Sequence, residues 1–119
     1  MIKSFLLAGV GGMIGSMLRY LTIIVFKHTS FPYATLLVNL VGSFIIGIIA
    51  ALAIKNLINA DYRLFIATGI CGGFTTFSAF SLEAMQMINE NRLAAAMLYV
   101  AGSILLGVGA SFAGYMLVK

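Results

Sequence analysis

Four apolar runs, at residues 4–26, 33–54, 64–88 and 93–118, take up nearly the whole sequence, and the polar residues gather between them. The separators are Lys27 and His28 up to Pro32, then Lys55 and Asn56 through Asp61, Tyr62 and Arg63, then Asn89-Glu90-Asn91-Arg92. A helix needs about 20 residues to cross a hydrocarbon core of about 30 Å, and each run is long enough. In hydrocarbon, backbone N–H and C=O groups must pair within the protein, which favours helices over open strands. The pattern predicts an all-α membrane protein, with four transmembrane helices in one domain covering residues 1–119. Four crossings place both termini on one side.

The third run is the irregular one. It carries Gly69-Ile70-Cys71-Gly72-Gly73-Phe74-Thr75-Thr76-Phe77-Ser78-Ala79-Phe80-Ser81 where an ordinary span would carry leucines. A glycine pair weakens a helix, and a break frees backbone groups that need protein, water or an ion as partners. The expectation is therefore a broken third helix with a site at the break. A helix resuming after it places Phe77 and Phe80, at i and i+3, on one face. Those rings either pack against other helices or turn their positive edges towards a passing anion. Carbonyls freed near Gly72 and Thr75 have the opposite preference and would hold a hard cation. One chain offers too few oxygens to enclose such an ion, whereas two chains across a two-fold axis double them.

The other runs carry lesser signals. In the first, Gly11 with Gly15 and Gly12 with Ser16 form small-xxx-small pairs that allow close helix packing. Arg19 lies well inside that run, where an arginine is either an interface anchor or faces a wet, electropositive vestibule. In the second, Asn39 is the one strongly polar residue, with Ser43 and Gly47 following on the same face. Its amide is either helix-to-helix glue or a donor to something that passes. In the fourth, Tyr99, Ser103, Gly107, Ser111 and Tyr115 recur every four residues, as a packing seam or a polar track. His28 falls in the first loop and is read as solvated.

Composition supports the membrane reading: 62% of residues are hydrophobic, 8% are charged, and the mean hydropathy is +1.12. A soluble domain carries about 25% charged residues. The net charge of +4 does not indicate nucleic acid, because the basic residues stand singly with no basic patch interleaved with aromatics. The one cysteine, Cys71, excludes an internal disulfide, and one histidine with one cysteine argues against a transition-metal site within a chain. The N-terminal run passes through several glycines to Arg19 and does not read as a cleavable signal. Lys3, Lys55, Arg63 and Lys119 face one side, against Lys27, Arg92 and Arg19, a weak bias compatible with insertion in both orientations.

Catalysis is a poor fit. The acidic residues are Asp61, Glu83 and Glu90, with no carboxylate pair, no nucleophile beside a base, and no phosphate loop. Proton-coupled transport needs a titratable group at depth, and only Glu83 qualifies. A small four-helix proton-coupled exporter of organic cations is thus the alternative to passive conduction by hydroxyls, an amide and aromatic edges.

Three stretches together resemble the Fluc (CrcB) fluoride channels over essentially the full length. They are Gly11-Gly12-Met13-Ile14-Gly15-Ser16-Met17-Leu18-Arg19-Tyr20, Thr35-Leu36-Leu37-Val38-Asn39-Leu40-Val41-Gly42-Ser43-Phe44, and the run from Gly69 to Ser81. The resemblance implies a fluoride-selective channel in the plasma (inner) membrane of a prokaryote, not an enzyme, that exports cytoplasmic fluoride passively. It implies an antiparallel, dual-topology homodimer with two pores. It also implies an anion path through Asn39, Phe77, Phe80, Ser81, Tyr99 and Ser103, with Arg19 towards the vestibule. A structural Na+ at the dimer centre would be held by the backbone carbonyls of Gly72 and Thr75. A further track serine of the family falls at Gly107, and Ala79 stands where threonine is frequent, so neither position inherits a role.

Overall fold

A computed structural model describes residues 1–27 and 31–119. The expected helices form, with α1 at Ile2–Val25, α2 at Tyr33–Ile54 and α6 at Leu93–Val118. The third span is longer than the pattern suggests, running over Ala60–Asn89. It starts as α3 (Ala60–Arg63), widens into a π-helix at Leu64–Cys71, returns to α-helix in α4 (Gly72–Phe74), breaks, and resumes as α5 (Phe77–Asn89). The four spans are each long and apolar enough to cross a membrane, so this is a multi-pass membrane protein. The histidine expected in the first loop, His28, lies outside the described residues.

Local chemistry explains the helix ends. After α2 and after α5 the chain turns on an asparagine with positive φ, Asn56 at 58° and Asn91 at 61°. Asparagine tolerates this left-handed conformation better than most residues. Each turn closes the same pair of bonds: Leu57 N–H to Leu52 C=O at 2.9 Å with Asn56 N–H to Ala53 C=O, and Arg92 N–H to Met87 C=O at 2.8 Å with Asn91 N–H to Ile88 C=O. These Schellman caps satisfy carbonyls that a helix end would otherwise leave bare. At the start of α3, the Asn59 side chain accepts the Tyr62 N–H at 2.9 Å.

The spans pack as two pairs, α1 against the π-helix and α4, and α2 along α6, with α5 leaning on α6. Small residues make this possible. Gly11 and Gly15 of α1 are buried, and a Cβ on Gly15 would collide with the Ile70 carbonyl. The predicted small-residue seam of the first span is therefore a packing seam. On the other pair, a Cβ on Gly47 would strike the Ser111 carbonyl. Where lipid removes the hydrophobic drive between helices, such close backbone approach is a main source of association. Gly47→Val is accordingly expected to destabilise the folded protein by about 1–3 kcal/mol or more. A lower thermal unfolding midpoint in detergent checks this, and an unchanged midpoint would contradict it.

The two ends of the bundle carry different ion pairs. At the end with both termini, Lys3 Nζ lies 2.8 Å from Asp61 Oδ2, and Lys55 Nζ donates to the Val118 and Lys119 carbonyls at 2.7 and 2.9 Å. At the other end, Arg92 lies 3.7 Å from Glu90, beside Lys27. The even number of crossings is thus realised, with Lys3, Lys55 and Lys119 on the side expected of them.

Candidate ion pathway

The break in the third span falls one step later than the glycines suggest. Gly72 keeps helical angles (φ −62°, ψ −37°), whereas Thr75 (φ −85°, ψ 156°) and Thr76 (φ −153°, ψ 127°) are extended. The glycines serve a different purpose: a Cβ on Gly73 would collide with the Gly12 carbonyl, so this pair admits α1. The threonines cap what they interrupt. Thr75 donates its N–H and its hydroxyl to the Cys71 carbonyl at 2.9 and 2.8 Å. The Thr76 hydroxyl accepts the Ala79 N–H at 3.2 Å and so caps α5.

Asn39 holds the break from outside. Its Oδ1 accepts the Thr76 N–H at 2.9 Å, and its Nδ2 donates to the Thr76 carbonyl at 3.3 Å. Of the two amide hydrogens, one is spent and one remains for another acceptor. Arg19 also reaches the break, its Nε donating to the Gly73 carbonyl at 3.2 Å. Neither sequence alternative for this arginine included a hydrogen bond to the third span. Two carbonyls lose their helical donors in the process. The Thr76 N–H that would serve Gly72 goes to Asn39, and the Ala79 N–H that would serve Thr75 goes to the Thr76 hydroxyl. Backbone oxygens in this condition suit a hard cation. Among the described residues, no group of three or more His, Cys, Asp or Glu side chains could hold a metal.

Below the break lies a cavity of about 300 Å³ lined by Asn39, Ser43, Thr75, Thr76, Phe77, Phe80, Ser103, Ile104 and Gly107. The rings of Phe77 and Phe80 stand 5.8 Å apart, and Phe80 packs on Tyr99 at 5.0 Å. Ser103 contributes the most informative atom. Its hydroxyl oxygen is buried without a hydrogen-bond partner among the described residues. A buried, unsatisfied hydroxyl costs about 1–3 kcal/mol, so this one is a donor that a water or a ligand in the cavity can take up. Phe77 is 78% exposed in the single chain, which leaves one side of the cavity uncovered.

A second cavity of about 320 Å³ opens at the far end, with Lys27, Thr35, Glu83, Gln86, Glu90 and Arg92 in its wall. Tyr99 touches a residue of each. It is 1% exposed, its ring rests on Phe80 and edge-on to Phe31, and its O–H donates to Glu83 Oε1 at 3.1 Å. Phe80 of the first cavity and Glu83 of the second therefore both rest on Tyr99.

The chain as a whole has relatives among known proteins. The family model described as CrcB-like protein, Camphor Resistance (CrcB), matches residues 6–115. The chain belongs to the CrcB-like family. It is similar to a fluoride-specific ion channel FluC of Chlorobaculum tepidum, 45% identical over 121 residues that cover 99% of this chain and 96% of the relative. It is also similar to the fluoride-specific ion channel FluC of Flavobacterium psychrophilum, at 39% identity with 99% and 98% covered. A third relative of the same description, from Thermus thermophilus, is 39% identical with 98% and 95% covered. These CrcB-like relatives are ion channels by name, not enzymes.

Of the residues singled out in the sequence, the fold brings Asn39, Phe77, Phe80 and Ser103 into one cavity wall and sets Tyr99 behind Phe80. Ser81 is exposed and stands in neither cavity wall, and Arg19 is at the break. Sequence reasoning did not find the capping role of Thr76, a role for Ser43 beyond its place on the Asn39 face, or the bond from Tyr99 to Glu83. Thr76 was signalled by a Thr-Thr pair directly before a helical run, an N-cap signature. Ser43 was signalled by its spacing from Asn39.

Proposed function

We propose that this chain is a fluoride-selective ion channel that lets fluoride leave the cytoplasm passively and so confers fluoride resistance. The observation that carries the reading is the cavity in which the spare Asn39 amide hydrogen, the unpartnered Ser103 hydroxyl and the Phe77–Phe80 pair converge. Fluoride is small and tightly hydrated, so N–H, O–H and ring-edge groups must replace its water as it enters. Their hold must also be weak enough to release it. Tyr99 continues the path, and Ser81 and Arg19 flank it, with Arg19 towards the vestibule.

The functional unit is an antiparallel, dual-topology homodimer with two pores in a prokaryotic inner membrane. The exposed Phe77 ring and the uncovered side of the cavity support it, as does the near-even charge of the two ends. The Gly72 and Thr75 carbonyls of both chains would hold a Na+ ion, which would supply fixed positive charge between the two breaks. Hydrogen fluoride crosses membranes as a neutral acid and ionises in a less acidic cytoplasm. A passive anion path then suffices for export, driven by the negative interior potential.

Liposomes carrying the purified protein and loaded with fluoride should empty quickly once an ionophore balances the charge, while chloride-loaded vesicles hold their contents. Retained fluoride, or equally fast loss of chloride, would overturn the proposal.

A further inference from the structure

Asn39 and Ser43 are one turn apart on α2, and Ser103 and Gly107 are one turn apart on α6, with all four in the wall of the same cavity. Three of these positions carry polar side chains, and the fourth carries none. Beyond its chain neighbours and its own helix backbone, the atom nearest to where a Gly107 Cβ would stand is the Ser43 hydroxyl oxygen, at 3.9 Å, with no other described heavy atom within 4 Å. Gly107 therefore leaves an open corner, and the Ser43 hydroxyl faces it. That hydroxyl makes no hydrogen bond among the described residues, whereas the Ser43 backbone carbonyl accepts the Ser111 hydroxyl at 3.1 Å. The helix is thus anchored through the main chain, and the side chain is left available.

We propose that the Ser43 hydroxyl is an anion-binding donor of this cavity, acting one turn below Asn39 and Ser103 in the space that Gly107 leaves open. The inference rests on reading the cavity as the anion path. A small anion that sheds its water needs several donors at once, and Asn39 and Ser103 offer one free hydrogen each. A serine on a helix can return its O–H to the preceding turn when nothing else accepts it. Ser43 can therefore rotate between its own backbone and the ion without leaving a donor stranded. Because Gly107 lies opposite, a hydroxyl introduced there would occupy nearly the same space from the other helix.

The test is fluoride efflux from liposomes, with charge balanced by an ionophore, for the unaltered protein, Ser43→Ala, Ser43→Ala/Gly107→Ser and Ser43→Ala/Gly107→Ala. Ser43→Ala is expected to slow efflux by about tenfold or more, the worth of one hydrogen bond to a charged group. Gly107→Ser should restore the rate of Ser43→Ala to within about threefold of the unaltered protein, because it returns a hydroxyl. Gly107→Ala, which adds volume without a hydroxyl, should not. If Ser43→Ala conducts normally, or if both second-site changes rescue it, or neither does, the assignment is overturned. Should the alanine variant not fold, Ser43→Cys carries the same test, since a thiol keeps the shape and weakens the donor. An unaltered protein that passes no fluoride would instead refute the channel reading itself.

Discussion

Asn39→Asp should reduce fluoride efflux by about a hundredfold or more while leaving the protein folded. The aspartate keeps an oxygen for the Thr76 N–H, the shorter of the two bonds that Asn39 makes to the break. It loses both amide hydrogens, the one given to the Thr76 carbonyl and the one free for the cavity. It also adds a negative charge in the wall. Two like charges about 4 Å apart repel by about 4 kcal/mol at an effective dielectric constant near 20, which exceeds what a hundredfold change in rate requires. Efflux measured with a fluoride electrode, beside a gel-filtration profile matching the unaltered protein, checks this. A normal rate would mean that Asn39 only fastens helices together.

Phe80→Ile should slow efflux by about tenfold or more, because isoleucine fills apolar space without a ring's positive edge. Phe80 is the better of the two rings to test. It lines the cavity, stands 5.8 Å from Phe77, and packs 5.0 Å from Tyr99, so its position is fixed from both sides. The same packing means that the substitution loosens the cluster of Tyr99, Met87 and Ala96, and the unfolding midpoint should fall modestly. The rate and the midpoint separate the two roles. A lower midpoint with an unchanged rate would make Phe80 a packing residue alone.

The spans were legible because hydrocarbon imposes a simple rule on composition, and the bounds of α2 and α6 agree with the apolar runs residue for residue. The third span was legible in kind and not in detail. A glycine pair marks both helix weakness and close approach, and only the position of α1 shows that Gly73 serves the second purpose. The real interruption lies at Thr75 and Thr76, where β-branched side chains with hydroxyls can satisfy the ends of two helices. Arg19 could not have been placed from sequence. Its partner is a main-chain carbonyl 54 positions away, and a backbone oxygen leaves no mark on residue type. The convergence of Asn39, Phe77, Phe80 and Ser103 was legible as a list of unusual polar and aromatic residues. That they share one wall follows from α2 lying along α6 and α5 leaning on α6.

The central claim is passive, fluoride-selective conduction, and Glu83, bonded to Tyr99 in the path, is the group on which a proton-coupled exporter would depend. The most direct measurement is the reversal potential of the protein in a planar bilayer, with fluoride on one side and chloride on the other. It should be repeated with a pH difference imposed across the bilayer. The account predicts a large potential of the sign set by fluoride alone, unmoved by the pH difference. A potential near zero, or one that follows the pH difference, would contradict it.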